Sequence, residues 1–200
     1  MVHLLVLIKI KKNFSMKLHL GCWHRYIPGF IHIDLCDFSH IDYKRSIDDL
    51  SIFKENSISL IYSSHSFEYF DRDKGIMVLK EWFRVLKPGG IIRLAVPNFD
   101  ALIDIYNQTG KLENIIGPLY GRMKIETNKL QKNTKYIYHK TVYNFSDLTK
   151  LLLSVGFKNI KKYDWKKTIH NDYDDHSQAY YPHMDKENGI LLSLNIEAEK

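Results

Sequence analysis

The stretch DRDKGIMVLKEWFRVLKPGGIIRLAV, residues 71–96, combines a helical pattern, a turn and an apolar run in direct succession. The residues that recur in it at helical spacing are Ile76, Leu79, Phe83 and Leu86. An aspartate at Asp71 or Asp73 can cap the start of this helix, and Lys87-Pro88-Gly89-Gly90 ends it. The apolar residues 91–96 then predict a strand. The stretch therefore indicates one helix–turn–strand unit of an α/β protein.

The same alternation of short apolar segments with helical or loop segments extends back to Leu18. The further strand candidates are residues 18–20, 30–34, a weak one at 44–47, and 59–63. Strands that alternate with helices predict a mostly parallel sheet with helices on its faces. Because such sheets bind ligands beyond the carboxyl ends of their strands, we expect the functional residues at that edge.

The carboxyl-terminal half has one clear helix and two strands. FSDLTKLLLSVGF, residues 145–157, has the apolar stripe of a helix that Ser146 can cap and Gly156 can end. Residues 157–165 then predict a strand, and the alternating tail ILLSLNIEAEK, residues 190–200, predicts a half-buried one. We expect this last strand to be inserted antiparallel in the edge region of the sheet.

Two segments, residues 107–143 and 168–188, fit neither period. Both are rich in Tyr, His, Asp and Asn. Loops of that length and composition in a compact domain are usually functional or mobile. We therefore interpret both segments as candidates for the substrate side of a binding site.

Length and composition indicate one soluble domain. With 200 residues, 44% of them apolar and 26% charged, the chain can bury its own core. The net charge is +6, but the lysines are scattered, so a solvated surface explains the charge better than a nucleic-acid partner does. Two cysteines without a secretion signal indicate a reduced, cytoplasmic protein.

The amino terminus, MVHLLVLIKIKK, contains an apolar run at residues 4–8. That run is too short for a membrane helix and precedes the lysines, unlike the apolar part of a signal peptide. Residues 1–15 are either an extension or an accessory edge strand. We expect residues 16–200 to form a single domain without a membrane span; the oligomeric state stays open.

Gly21 and Asp34 form the first candidate ligand site. A glycine after the first strand allows a sharp turn and a close approach to a ligand. Asp34 ends the second strand, where a carboxylate can accept both hydroxyls of a ribose. Glycine turns and strand-end aspartates are common, so these two residues alone leave a purely structural role open.

The order of motifs LHLGC, IHID, IDDL, SISLIYSSHSFEYF and LKEWFRVLKPGGIIRLAVPNF resembles the class I S-adenosylmethionine-dependent methyltransferases. The likeness is strongest to small bacterial methyltransferases linked to surface-polysaccharide synthesis, and it includes the tail DDHSQAYYPHMDKENGILLSLNIEA. The resemblance implies a Rossmann-like, mostly parallel seven-stranded sheet with helices on both faces. It also implies S-adenosylmethionine as the cofactor and a small-molecule acceptor such as a sugar or glycan precursor.

The resemblance also implies a role for each matching position. Around the methionine end of the cofactor it places Leu20, Gly21 and Cys22. Around the ribose and adenine it places Asp34, Leu35, Asp49 and Leu50, the last through its backbone. Beside the sulfonium and the methyl group it places Ser63, Ser64 and His65.

Two positions depart from the family pattern. Relatives usually have a second glycine where this chain has Trp23, and they tend to have Glu-His where it has Glu68-Tyr69. The indole of Trp23 either restricts the cofactor loop or closes over the pocket as a lid. A noncatalytic binding or scaffolding protein with a degenerate loop is therefore the alternative function.

Two histidines are the candidate catalytic bases. Methyl transfer to a hydroxyl often requires a base for the proton, and His65 is the better placed, with His139 as a second candidate. A further polar group consists of His170, Asp174, Asp175, His176, Gln178, Tyr181 and His183. Because this group lacks tight ligand spacing, a polar pocket explains it better than a metal site, and we assign no metal. The sequence after the fourth strand, Ser63 to Ser66, also lacks the tetrapeptide typical of enzymes that methylate a flipped base.

Overall fold

The computed structural model describes residues 15–126 and 134–200. The apolar run at residues 4–8, and with it the choice between an extension and an edge strand, lies outside these ranges. The strands are β1 (Met16–Leu20), β2 (Ile31–Asp34), β3 (Tyr43–Lys44), β4 (Ile58–Ser64), β5 (Leu86–Pro97), β6 (Met123–Glu126), β7 (Thr134–Ile137), β8 (Lys158–Lys162), β9 (Tyr180–Tyr181), β10 (Ile190–Leu191) and β11 (Ser193–Glu199). The helices are α1 (Arg72–Val85), α2 (Phe99–Thr109), α3 (Glu113–Tyr120) and α4 (Phe145–Val155).

Seven strands form the central sheet, in the order β3-β2-β1-β4-β5-β11-β8. Strands β1 to β5 pair in parallel, and β11 runs antiparallel between β5 and β8. The predicted mostly parallel sheet is confirmed, and so is the antiparallel last strand next to the edge. The carboxyl ends of β1, β2 and β4 therefore meet at one edge of the sheet.

The two faces of the sheet are covered by different parts of the chain. On one face, α1 and α4 bury an apolar core with β1, β4 and β5, and the fully buried Trp82 donates its indole N–H to the Ile47 carbonyl oxygen at 2.7 Å. On the other face, His19 stacks on Tyr62 with 5.2 Å between the ring centroids, and Tyr62 stacks on His170 at 3.9 Å. Because strand side chains alternate between faces, Leu18 and Leu20 join the apolar core while His19 points to the polar face.

Several predicted boundaries differ from the structure. The cap of α4 is Asn144, whose side chain accepts a hydrogen bond from the Asp147 amide at 2.9 Å, and Ser146 lies inside the helix. Of the two caps predicted for α1, Asp71 takes the position. The Lys87–Gly90 turn is part of β5, which changes register against β4 at this point. The predicted strand at residues 44–47 is β3, which ends at Lys44.

The carboxyl-terminal strands differ in extent and burial. The predicted strand 157–165 shortens to β8, because Trp165 begins a 3-10 turn. Strand β11 was predicted to be half-buried, but it is buried more deeply, since its polar residues Ser193 and Asn195 are only 2% and 3% exposed. The reason is its inner position between β5 and β8, with residues 175–178 packed beside it.

The segment 107–143 contains more regular structure than its sequence indicates. It includes the end of α2, all of α3, and the hairpin strands β6 and β7. These elements are short, and α3 contains Pro118, so no long apolar period develops. Helices α2 and α3 pack on each other near β10, in a small apolar cluster separate from the main core.

Candidate active site

A cavity of about 430 Å³ lies at the carboxyl ends of β1 and β4. Its walls come from the loop after β1, the turn after β4 and the two polar segments predicted to be functional. The predicted site residues that line it are Gly21, Cys22, Ser64, His65 and His139. From the polar segments, Arg122, Asp175 and His176 also reach it. The cavity thus lies where a parallel sheet is expected to bind its ligand.

The loop after β1 depends on the absence of a side chain at Gly21. This residue has φ +67°, and a Cβ atom there would lie 2.5 Å from both Cβ and Oγ of Ser66. Both the backbone conformation and the close packing therefore require glycine. Its amide donates to the Ile33 carbonyl oxygen at 2.9 Å, which ties the loop to the end of β2.

Trp23 adopts the left-handed conformation that favours glycine. Its φ is +48°, its side chain lines the cavity, and its ring meets the His24 ring edge-on at 4.3 Å between centroids. A glycine adopts this conformation readily, whereas a residue with a Cβ is strained there. The loop thus keeps the backbone shape of a glycine loop with a tryptophan in it.

Asp34 holds the loop from the end of β2. Its Oδ2 accepts the Trp23 amide N–H at 2.8 Å, and its Oδ1 accepts the Cys36 amide N–H at 2.7 Å. The side chain is 7% exposed and does not line the cavity. Each carboxylate oxygen already has one backbone donor, and its second acceptor site is the part that a ribose hydroxyl could use.

The other predicted cofactor residues lie outside the cavity wall. Leu35 is 47% exposed, whereas Leu20 and Leu50 are buried in the core. The Leu50 amide donates to Glu81 at 3.1 Å, so α1 already occupies that backbone group. Hydrogen bonds from Ser51 and Arg45 lower the pKa of Asp49 to about 2, and its side chain is half exposed.

The turn after β4 contributes a serine pair and a strained histidine. Ser63 and Ser66 are linked through their hydroxyls at 2.5 Å. Ser64 lines the cavity, and its Oγ is buried without a hydrogen-bond partner among the described residues. His65 follows with φ +49°, a left-handed conformation that is uncommon for a residue with a side chain. Such strain at a cavity wall is typical of functional sites.

His65 and His139 both lose basicity through burial. Desolvation holds the pKa of His65 well below its ordinary value, and the neighbouring His176 lowers it further. Desolvation also lowers the pKa of His139, partly opposed by the Pro118 carbonyl oxygen 3.0 Å from its Nδ1. Both imidazoles are therefore neutral at neutral pH and able to accept a proton.

Glu68 joins the two histidines, and we did not predict its role from the sequence. Its Oε1 lies 3.6 Å from His65 Nδ1 and 3.5 Å from His139 Nε2. The side chain is 0% exposed, neither carboxyl oxygen has a hydrogen-bond partner among the described residues, and burial raises the pKa of Glu68 to about 8. The available signal was its place three residues after His65 and directly before Tyr69, where the chain departs from the Glu-His of the family pattern.

Some residues of the polar segment 168–188 line the cavity, and others pack against the rest of the protein. Asp175 accepts a hydrogen bond from the Tyr62 hydroxyl, and its neighbour His176 lies 5.2 Å from His65 between ring centroids. Gln178 donates to the Asn171 carbonyl oxygen at 3.1 Å, and Tyr181 packs against the α2–α3 cluster. Within residues 15–126 and 134–200, no three His, Cys, Asp or Glu side chains are grouped to hold a metal ion.

Comparisons with known proteins identify the fold. Residues 33–94 match the family model of the methyltransferase domain. An S-adenosylmethionine-dependent methyltransferase from Methanosarcina mazei is 17% identical with a TM-score of 0.55, and the match covers 93% of this chain and 92% of that one. A further one from Archaeoglobus fulgidus is 16% identical with a TM-score of 0.54, covering 93% and 86%. This chain has the class I methyltransferase fold.

A third methyltransferase structure contains ligands. The 1,6-didemethyltoxoflavin-N1-methyltransferase from Burkholderia thailandensis, solved with 1,6-didemethyltoxoflavin and S-adenosylhomocysteine, is 11% identical with a TM-score of 0.52, covering 93% of this chain and 71% of that one. No curated protein matches the sequence. The partial domain match and the structural likeness together show the fold of this chain.

Two polar groups at the cavity suit a polar ligand. Ser64 Oγ is a buried polar atom that still needs a partner, and a polar ligand group beside it would satisfy it. Arg25 lines the same cavity, and its Nε donates to the Asp174 carbonyl oxygen at 3.0 Å, which holds a positive charge at the wall. In the described part of the chain, no helix is long and apolar enough to cross a membrane.

Proposed function

We propose that this protein transfers a methyl group from S-adenosylmethionine to a small molecule, with a sugar or glycan precursor as the acceptor. The observation that carries the proposal is one continuous cavity that brings together the loop after β1, the turn after β4 and both candidate bases. When bound, the cofactor supplies an electrophilic methyl group on a sulfonium. The sugar acceptor rests on the resemblance of the sequence.

The cofactor side of the proposed site consists of the loop after β1 and the turn after β4. Gly21, Cys22 and Trp23 surround the methionine part, and Ser64 offers its unpaired hydroxyl. Asp34 holds the loop through two backbone amides and presents its remaining acceptor sites to the ribose. In the proposal, the exposed Leu35 and Asp49 contact the adenine at the outer end of the site.

The acceptor side of the proposed site consists of the two polar segments and the two histidines. Neutral His65 and His139 can accept a proton from a hydroxyl, as general-base catalysis requires. A cavity of about 430 Å³ is in the range of small-molecule sites, which favours a small acceptor over a nucleic acid. Two buried cysteines fit a reducing compartment such as the cytoplasm.

Two measurements test this proposal. Calorimetric titration with S-adenosylhomocysteine should give saturable binding by the folded protein. Transfer of a labelled methyl group should then be measured with nucleotide-linked sugars, free sugars and single-stranded DNA as acceptors. We expect labelled sugar products; product with DNA alone would contradict the small-molecule acceptor, and a folded protein that binds no S-adenosylhomocysteine would favour the noncatalytic alternative.

A further inference from the structure

The tautomer of His139 follows from its position beside Pro118. Its Nδ1 lies 3.0 Å from the Pro118 carbonyl oxygen, and a carbonyl oxygen can only accept a hydrogen bond. Nδ1 therefore carries the hydrogen. In the neutral ring, Nε2 then has a free lone pair, and this is the atom that lies 3.5 Å from Glu68 Oε1.

The tautomer of His65 follows from a chain of hydrogen bonds on β11. The Asn195 amide group donates to the Ser177 carbonyl oxygen at 2.8 Å, which orients the amide so that its oxygen faces Ser193. Ser193 donates to that oxygen at 2.9 Å, so its hydroxyl oxygen is left to accept from His65 Nε2 at 3.1 Å. His65 Nδ1 therefore has the free lone pair, and it lies 3.6 Å from Glu68 Oε1.

Three acceptors thus converge in a buried space. They are the lone pairs of His65 and His139 and the Glu68 carboxyl, which has no hydrogen-bond donor among the described residues. Converging acceptors without a hydrogen between them would repel one another, and a buried carboxylate without a donor is strongly destabilised. One added proton relieves both problems, because it neutralises the carboxylate and lets the carboxylic acid donate to one of the two imidazoles.

We infer that Glu68 is a protonated carboxylic acid at neutral pH, and that it shares its proton with His139 and His65 as one unit. The distances of 3.5 and 3.6 Å are a few tenths of an ångström outside hydrogen-bond range, so a small side-chain rotation closes either contact. The raised pKa of Glu68, about 8, agrees with this geometry.

The other titratable groups around Glu68 do not supply a competing charge next to it. Tyr69 donates its hydroxyl to the Gly121 carbonyl oxygen at 2.8 Å, and its pKa is raised by burial. Tyr143 is also a buried phenol with a raised pKa. His176 faces the His65 ring, and Arg25 disfavours a proton on both of these histidines. These surroundings keep the proton on Glu68.

For the proposed methyl transfer, this unit provides a place for the acceptor's proton. The imidazole that does not accept from Glu68 takes the proton of the acceptor O–H, and the electron pair of the broken O–H bond stays on the acceptor oxygen. Apart from the two imidazole N–H groups that donate to Pro118 and Ser193, the unit then holds two protons, the one from Glu68 and the one from the acceptor, and it carries one positive charge. Glu68 is thus a positioning residue, which orients the histidines without touching substrate; this part rests on the proposed function.

The protonation of Glu68 can be tested without any ligand. In the full-length protein labelled with ¹³C at glutamate carboxyls, the Glu68 signal should titrate with a midpoint above about pH 6.5, compared with about pH 4.3 for an ordinary glutamate. Assignment comes from the signal that Glu68→Gln removes. A midpoint near pH 4.3 would overturn the inference. If Glu68→Gln does not fold, sequential NMR assignment of the parent protein identifies the Glu68 signal instead.

A second test compares the stability of Glu68→Gln with that of the parent. Because the folded parent holds a proton that the unfolded chain releases above about pH 4.3, its folding constant should fall relative to the variant, by up to tenfold per pH unit until about pH 8. The matched control is Glu197→Gln, since Arg93 helps lower the pKa of that carboxyl and no such fall is expected.

The two outcomes separate this inference from the proposed function. A constant ratio of parent to Glu68→Gln folding constants between pH 5 and 8 would overturn the shared proton, whether or not the protein binds S-adenosylhomocysteine. Conversely, a raised Glu68 titration midpoint with no cofactor binding would leave the shared proton in place and reject the methyltransferase.

Discussion

Two buried carboxyl groups near the same cavity have opposite surroundings. Asp34 accepts two backbone amides at 2.8 and 2.7 Å, whereas Glu68 has no hydrogen-bond donor among the described residues. Both are nearly or fully buried, at 7% and 0% exposed. Burial alone therefore does not decide what a carboxyl group does; the donors around it do. Asp34 is suited to hold a loop by accepting hydrogen bonds, and Glu68 to hold a proton.

The largest effect is expected for Asp34→Ala. The substitution leaves the amides of Trp23 and Cys36 without their acceptor, and each such charge-assisted bond contributes about 1.5–3 kcal/mol. We expect the free energy of unfolding to fall by about 3 kcal/mol or more, and the affinity for S-adenosylhomocysteine to fall at least about tenfold. Urea denaturation and calorimetry measure the two effects. Asp34→Asn, which keeps one acceptor oxygen, should lose less; equal stability of Asp34→Ala and the parent would reject the anchoring role.

The second-largest effect is expected for Gly121→Ala, which displaces His139 beside Glu68. A Cβ atom at Gly121 would lie 1.9 Å from His139 Nε2, and the position has φ +50°. We expect a loss of about 2 kcal/mol in unfolding free energy, from backbone strain and displacement of the ring. Gly117→Ala is the matched control, because nothing lies within 4 Å of a Cβ there and helix propensity favours alanine. Equal stabilities of the two variants would show that His139 moves aside freely.

Trp23→Gly tests the loop that Asp34 holds. Glycine relieves the left-handed backbone, so the unfolding free energy should rise by about 1 kcal/mol. The indole lines the cavity, so its removal should weaken S-adenosylhomocysteine binding by about 1–2 kcal/mol. Trp23→Asn, which tolerates the same backbone without the ring, should lose affinity as well. Tighter binding by Trp23→Gly would indicate that the ring obstructs a degenerate site instead of closing it.

The smallest effect in this series is the gain in stability of Glu68→Gln at pH 8. The folded-state pKa of Glu68 lies above its unfolded value, so its stabilising contribution is complete below about pH 4.3 and is lost as the pH rises through about 8. Glutamine needs no proton and can donate to one imidazole, so we expect the variant to be at least about 1 kcal/mol more stable than the parent at pH 8. Thermal denaturation at pH 8 measures this, and a less stable variant would contradict it.

The same two carboxyl groups show what the sequence can and cannot predict. Asp34 was predicted because a strand-end acid after a glycine turn has a local pattern. The mostly parallel sheet follows from the regular alternation of strands and helices, whereas its seven strands were implied by the resemblance. The donors that occupy Asp34 belong to loop amides, which leave no side-chain signal. Glu68 meets His139 only through the fold, since the segment that carries His139 returns over the cavity after α3.

Smaller errors have similar local causes. Asn144 and Ser146 are both good helix caps, and only the backbone path decides that Asn144 takes the position. The alternation of β11 was predicted correctly, but its burial depends on which strands lie beside it. Leu35 and Asp49 were placed by resemblance; both lie outside the cavity wall, and their contact with the adenine stays a prediction.

The most direct measurement is the calorimetric titration of the full-length parent protein with S-adenosylhomocysteine, beside Asp34→Asn. We predict saturable binding with one molecule per chain, and weaker binding by a variant that is still folded by circular dichroism. A folded parent protein that shows no binding at any concentration of S-adenosylhomocysteine would contradict the methyltransferase function proposed for this fold.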